Sequence, residues 1–256
     1  VPVSISARAR RDAIVTLATT VGLASVDELS ERFGVTASTI RRDLATLQEQ
    51  RKLTRTFGGA MAVAAHPEAS LRQRLGEHFD AKRDIARRAA EAVQPGTSLF
   101  LDNGSTVAAF AHALPVDADL TVTTTSVGVV TDMADRDDVR LVMLGGEYRS
   151  LSNGFVGPLT EAALEYLTFD AAYLGADAVS PERGICEADL GQIRLKELIA
   201  RRAAAVYVLA DSSKLAQSEF HAWTRLGGGW TLVTDDGIAP DLVERFDTAD
   251  VTVVTA

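Results

Sequence analysis

From residue 98 onward the chain repeats one pattern: a short apolar run, then a longer stretch with helical spacing. The runs fall near Ser98–Leu101, Leu120–Thr124, Val139–Leu144, Ala171–Leu174, Val206–Ala210, Leu232–Thr234 and Val251–Val254. The helical stretches fall near Thr106–Leu114, Val127–Ala134, Leu159–Tyr166, Leu190–Arg202 and Pro240–Arg245. Strands that are apolar along their length, not on alternate residues, must be covered on both faces. The alternation therefore predicts an α/β domain with a mostly parallel sheet and helices on both sides. Ligands of such sheets bind at the carboxyl ends of the strands.

Small polar residues collect at those ends. Asp102, Asn103, Gly104, Ser105 and Thr106 follow the first run, and Thr124, Thr125 and Ser126 the second. Gly145 and Gly146 follow the third, Gly175, Ala176 and Asp177 the fourth, and Asp211, Ser212, Ser213 and Lys214 the fifth. Any one of these is ordinary loop chemistry; in register they read as a binding site. In "LDNGST" a strand passes into a helix through Asn103-Gly104, the layout in which helix N-terminal amides hold an anion. Hydroxyls and backbone amides suit a phosphate, Asp211 suits sugar hydroxyls and Lys214 suits an anion.

The first 60 residues follow a different rule. A helix is expected over Ala7–Thr20, with Ile14, Leu17, Ala18 and Val21 on one face. A second, Val26–Phe33, carries Val26, Leu29 and Phe33, with Ser25 and Glu28 as a capping box and Gly34 as its stop. Thr36 caps a third, Ala37–Gln50. Its Ile40, Leu44 and Leu47 form an apolar stripe, whereas Ser38, Arg41, Arg42 and Ala45 centre about 140° away. Two arginines on the exposed N-terminal half of such a helix suit base edges in the major groove. Thr36, Ser38, Thr39, Arg41 and Arg42 are the candidate DNA-facing residues. Asp43 lies between the faces and is expected to orient an arginine. "RKLTRTFGGAMAV" reads as a two-stranded wing around Gly58-Gly59, with Lys52 and Arg55 placed for phosphates.

Charge divides the same way. Residues 1–66 hold nine Lys+Arg against six Asp+Glu, and the rest hold 17 against 29, giving +3 and −12 within a total of −9. A basic module joined to an acidic one suggests a nucleic-acid reader attached to something else. No apolar run approaches the roughly 18 residues of a membrane helix, and "VPVSISARARRD" lacks a signal-peptide core. A single cysteine, Cys186, precludes an internal disulfide and fits a reducing cytoplasm. His66, His78, His112 and His221 lack ligand spacing, so no metal is expected. The expected organisation is a DNA-binding domain over 1–60, a linker over 61–78 and an α/β domain over 79–256.

The string from Ser25 to Ala60, with its "TIRRDL" core and "GGA" after the wing, closely resembles the N-terminal signature of the DeoR-type family of bacterial transcription regulators. Residues 79–235 resemble that family's C-terminal sensor domain, which is similar in fold to ribose-5-phosphate isomerase. "NGST" matches the isomerases' phosphate loop, with Asp102 where they usually carry glycine; "GAD" at 175–177 and "ADSSK" at 210–214 match two further segments. The resemblance implies an all-α winged helix-turn-helix followed by an isomerase-like α/β sensor, and a repressor of carbohydrate catabolism that binds double-stranded operator DNA. It also implies an effector that is a phosphorylated sugar or related metabolite, its phosphate held by Asn103, Gly104, Ser105 and Thr106 and the rest read by Asp102, Asp177, Asp211 and Lys214. Glu187 and Lys196 are expected beside them. Duplicated half-sites require duplicated readers, so a homodimer or homotetramer is expected.

The departures argue against catalysis. Where the isomerases carry the catalytic glutamate of "REK", this chain reads Arg194-Leu195-Lys196, and leucine cannot accept a proton. Leu174 replaces the first aspartate of "DGAD", and "ICEADLG" stands where they have "KGGGG". The competing reading is a sugar-phosphate isomerase or deaminase with an appended DNA-binding domain, in which Glu187 or Asp189 serves as base.

Overall fold

A computed structural model describes residues 6–11, 13–14, 24–49, 53–56, 59–62, 70–215 and 220–256. The chain divides into two compact units, Val1–Gln73 and Arg74–Ala256.

In the first unit residues 7–11 and 13–14 are helical. Then come β1 (Ala24–Ser25), α1 (Val26–Phe33), α2 (Ala37–Glu49), β2 (Leu53–Thr56) and β3 (Gly59–Ala62). Ile14, Leu29, Ile40, Leu44 and Leu47 form one buried cluster, with Val26, Phe33 and Val35 packed against it. The apolar stripe of α2 thus faces the other helices, as its spacing requires. Gly34 turns the chain between α1 and α2 at φ +61°, a conformation that costs a side-chain-bearing residue stability. The wing forms where expected: β2 and β3 pair antiparallel, with Thr56 opposite Gly59. β1 adds a third strand beside β3, Ala24 opposite Ala60, so the unit is not all helical.

The segment read as a linker, 61–78, is partly structured. β3 continues through Met61 and Ala62 because Ala62 still has a ladder partner in Leu53. A short helix, α3 (Leu71–Leu75), follows. Its start is a capping box: Gln73 Oε1 accepts from the Ser70 amide at 2.6 Å and Ser70 Oγ accepts from the Gln73 amide at 3.4 Å.

The second unit contains α4 (Phe79–Ala90), β4 (Ser98–Leu101), α5 (Ser105–Ala113), β5 (Leu120–Thr124), α6 (Val127–Met133) and β6 (Val139–Met143). The hairpin β7 (Glu147–Arg149) and β8 (Gly154–Val156) comes next. It is followed by α7 (Pro158–Leu164), β9 (Phe169–Leu174), β10 (Ala178–Ser180), β11 (Gly184–Glu187), α8 (Leu190–Arg202) and β12 (Ala203–Leu209). β13 (Ala222–Thr224), β14 (Thr231–Thr234), α9 (Pro240–Thr248) and β15 (Thr252–Thr255) complete it. Seven strands form one sheet in the order β15-β14-β12-β9-β4-β5-β6, every neighbouring pair parallel.

Alternation along each strand sorts side chains between two buried layers. Phe100, Ala172, Leu174, Val206 and Val208 join Leu164, Ile193, Ile199 and Phe246 from α7, α8 and α9. Leu99, Leu101, Ala171, Tyr173 and Leu209 join Ile85, Phe110 and Val129 from α4, α5 and α6. Tyr173 stacks between Phe110 and Tyr207 at centroid distances of 4.0 and 4.9 Å. Both faces being covered explains why the strands read as continuous apolar runs. β10, β11 and β13 form a separate antiparallel sheet, which like the β7–β8 hairpin has no counterpart in the sequence reading. Strands of three or four residues are too short for a period to show.

Candidate functional site

Each unit carries one polar constellation. In the first unit, Ser38, Arg41, Arg42 and Ala45 are exposed along α2, and Thr36 and Thr39 lie at its start. Thr36 Oγ1 accepts from the Thr39 amide at 3.3 Å and lies 2.9 Å from Ser38 Oγ, a hydroxyl-rich cap. The first turn of α2 has no acidic residue, so the positive end of the helix dipole stays available to a phosphate. Asp43 does orient arginines, but they are those of the leading helix: Arg10 Nε at 2.6 Å and Arg11 Nη1 at 3.6 Å. That leaves Arg41 and Arg42 exposed. Lys52 lies outside the described residues; Arg55 occupies β2 opposite Ala60.

In the second unit the predicted residues meet at the carboxyl ends of β4, β9 and β12. Asp102, expected to read the effector, and Glu187 and Lys196, expected beside it, form one buried ion cluster. Lys196 Nζ lies 2.9 Å from Asp102 Oδ2, donates to the Gly175 carbonyl at 2.8 Å and contacts Glu187 Oε1. Asp102 Oδ2 also accepts from the Gly175 amide at 3.0 Å. All three side chains are buried. Burial raises the Glu187 carboxyl above its ordinary range, while Lys196 opposes the rise. Burial alone would lower the Lys196 ammonium; Asp102 and Glu187 outweigh it and hold that group above the usual lysine range. These three residues clip β4, β11 and α8 together, with Asp102 and Glu187 against one ammonium.

A cationic side stands opposite. Asp177 Oδ1 accepts from Arg74 Nη1 at 2.8 Å, and its Oδ2 accepts from the Ala188 amide at 3.1 Å. Lys214 Nζ donates to the Ala176 carbonyl at 2.7 Å. Lys82 Nζ donates to the carbonyls of Arg74 and Glu77 at 2.5 and 2.7 Å. Burial, then the nearby Lys214 charge, lowers Lys82 to about 8. Burial likewise lowers Lys214, against the pull of Asp211. Arg74 and Lys82 were absent from the sequence reading. The signal for Lys82 was present: it stands at the head of the stripe Ile85, Ala86, Ala89, the only charge on the buried side of α4.

Between these groups lies the N-terminus of α5. Gly104 precedes it at φ +149°, and a Cβ there would sit 4.0 Å from Gly175 Cα, so the loops after β4 and β9 abut. Asn103 Nδ2, Thr106 Oγ1, Thr125 Oγ1 and Gln192 Oε1 are buried without a partner, as are Asp211 Oδ2 and Arg74 Nε. Each such atom costs about 1–3 kcal/mol unless something satisfies it, and native proteins hold few. The seventh among the described residues, Thr234 Oγ1, lies at the end of β14, the strand paired with β12. The concentration marks a candidate ligand site.

Other candidates have structural work. Ser126 caps α6, accepting from the Val129 amide at 3.3 Å, and Thr124 Oγ1 donates to the Leu101 carbonyl at 2.6 Å. The Gly145 carbonyl accepts from Thr160 Oγ1 at 2.9 Å, and a side chain at Gly146 would strike Thr160 and the Val156 carbonyl. Packing against β8 and α7 therefore accounts for the glycine at 146, whereas a Cβ at Gly145 would meet open space. Leu195 is buried in the core, and Asp189 caps α8 through the Gln192 amide at 3.0 Å.

Residues 10–65 match the DeoR-like helix-turn-helix domain and residues 77–236 the DeoR C-terminal sensor domain. The chain belongs to the DeoR family. This DeoR-family chain is a DNA-binding transcription regulator and not an enzyme. It is 32% identical over 246 residues to the HTH-type transcriptional regulator GlpR of Haloferax volcanii, covering 96% of each chain. It is 32% identical over 209 residues to the glycerol-3-phosphate regulon repressor of Escherichia coli K12, 82% of this regulator and 83% of that one. The lactose phosphotransferase system repressor of Streptococcus mutans is 30% identical over 230 residues, 88% and 91% of the two chains. Ribose 5-phosphate isomerase A from Methanocaldococcus jannaschii superposes with a TM-score of 0.41 at 21% identity, over 56% of this chain and 57% of that one, too loosely to bear on function. No helix among the described residues of the regulator is long and apolar enough to cross a membrane.

Proposed function

We propose that the protein is a repressor of carbohydrate-catabolism genes whose operator affinity is set by a phosphorylated sugar or related metabolite in the second unit. The observation that carries this reading is the set of unsatisfied buried polar atoms around the α5 N-terminus, beside Arg74, Lys82 and Lys214. Amides of Ser105 and Thr106 and the cationic side suit a phosphate, and Asp211 Oδ2 suits a hydroxyl donor. The site is polarised, with carboxylates against Lys196 at its floor and cations at the α3–α4 side, which favours a ligand with one anionic end. A ligand can change DNA affinity only by its differential affinity for the two states, typically about 1–3 kcal/mol or 5–150-fold. The repressor acts as a homodimer or homotetramer, its readers spaced about 34–36 Å or a multiple of that along the operator.

A thermal-shift screen across phosphorylated sugars, repeated with labelled operator DNA, tests the reading. One compound should raise the melting temperature and alter operator affinity; a ligand at 100 times its Kd stabilises by about 2.7 kcal/mol. Lys214→Ala and Asp211→Ala should retain operator binding but lose the response to that compound. An unchanged response in both variants places the effector elsewhere, and no shift with any phosphosugar reduces the second unit to an assembly module.

A further inference from the structure

Arg74 and Lys82 fit neither the DNA-reading pattern nor the loop motifs, yet they govern the segment where the two units meet in sequence. Arg74 is the first residue of the second unit and lies inside α3, whose Leu71–Gln73 belong to the first. Its Nη1 is occupied by Asp177, while its Nε is buried and has no acceptor. Lys82 holds the carbonyls at both ends of 74–77 and, among the described residues, has no carboxylate within ion-pair distance. The segment is thus fastened by two cations, Lys82 buried and Arg74 half-buried, that still have donors to give. An anion supplies charged acceptors to both without displacing either from its present partners.

We infer that Arg74 carries effector occupancy to the first residues of the second unit: the effector's anionic group accepts the free Nε–H of Arg74 while Asp177 keeps Nη1, so occupancy fastens residues 74–77. This rests on the effector reading above and adds its route out of the site. Burial, and after it the neighbouring cations, lowers the Lys82 and Lys214 ammoniums, and a bound anion would oppose both effects.

Hydrogen exchange on the full chain separates the two ideas, with inorganic phosphate as probe against chloride at equal ionic strength. In the wild type, phosphate should slow exchange by about tenfold both at residues 105–107 and at 74–77. In Arg74→Gln, with phosphate raised until the slowing at 105–107 is restored, the slowing at 74–77 should stay absent, and Arg74→Lys should restore part of it. Slowing at 105–107 alone in the wild type overturns the coupling but leaves the anion site standing. Slowing at neither segment removes the site and the coupling with it. Should Arg74→Gln fail to fold, the wild-type comparison still decides, and full slowing at 74–77 in a folded Arg74→Gln overturns the role of Arg74.

Discussion

Replacing Lys196 with methionine is expected to lower the stability of the second unit by about 3–5 kcal/mol near neutral pH, the usual cost of leaving buried charges without their partner. Methionine fills much of the same volume, so the loss reports charge and not a cavity. The deficit should depend on pH. Burial already raises the Glu187 carboxyl, and without Lys196 nothing opposes that rise. A carboxyl whose folded pKa lies above its unfolded value binds more protons in the native state, so stability falls as pH rises between the two values. The variant should therefore approach the wild type near pH 5 and fall furthest behind near pH 8, where Glu187 must ionise without its partner. Both tryptophans, Trp223 and Trp230, lie in the second unit, so their fluorescence in urea follows that unit alone. Equal midpoints for variant and wild type at pH 8 would remove Lys196 from any structural role.

The second large effect concerns the reader. Arg41→Ala or Arg42→Ala should cost about 1–3 kcal/mol of discrimination between operator and non-operator DNA, the worth of a bidentate arginine–guanine contact. Both side chains are exposed and apart from the Ile40, Leu44 and Leu47 cluster, so the helical signal should not change. Titrating each variant against operator and scrambled duplex at one salt concentration separates loss of specificity from loss of general affinity. Wild-type operator preference in both variants would show that another face of α2 reads the bases. Asp43→Asn makes a useful contrast. Its carboxylate is buried against Arg10, so that variant should weaken the unit itself.

The sequence revealed whatever repeats and concealed whatever is local. The parallel strands were legible because both faces are covered; β4 and β5 appear within the expected bounds. β9 and β12 start earlier than their apolar cores, at Phe169 and Ala203, because strand pairing extends past the last purely apolar residue. The hairpin of β7 and β8 spans too few residues to leave a pattern. In the candidate site, loop position pointed to Asn103, Gly104, Thr106, Thr125, Asp177, Asp211 and Lys214. It could not distinguish Gly146, which packs against Thr160 and Val156, from a glycine that borders open space, such as Gly145. Nor could it show that Asp102 and Glu187 turn inward to Lys196, since that pairing joins residues 102, 187 and 196 across three elements. Arg74 was hidden by its place in a stretch that reads as linker.

The strand order also sets a timetable for synthesis. β9 joins the sheet between β4 and β12, so residues 102, 175 and 211 are neighbours only after most of the chain has been made. Domains generally fold as units from the N-terminus while the chain emerges, and distant parallel pairings close late. Among the described residues, the buried cluster of the winged unit draws on nothing beyond Leu47, and its wing ends at Ala62. Every newly made molecule therefore passes through an interval in which its reader is finished and its second unit is not, and an untethered fragment ending before β9 would carry the reader without the loops of the proposed effector site.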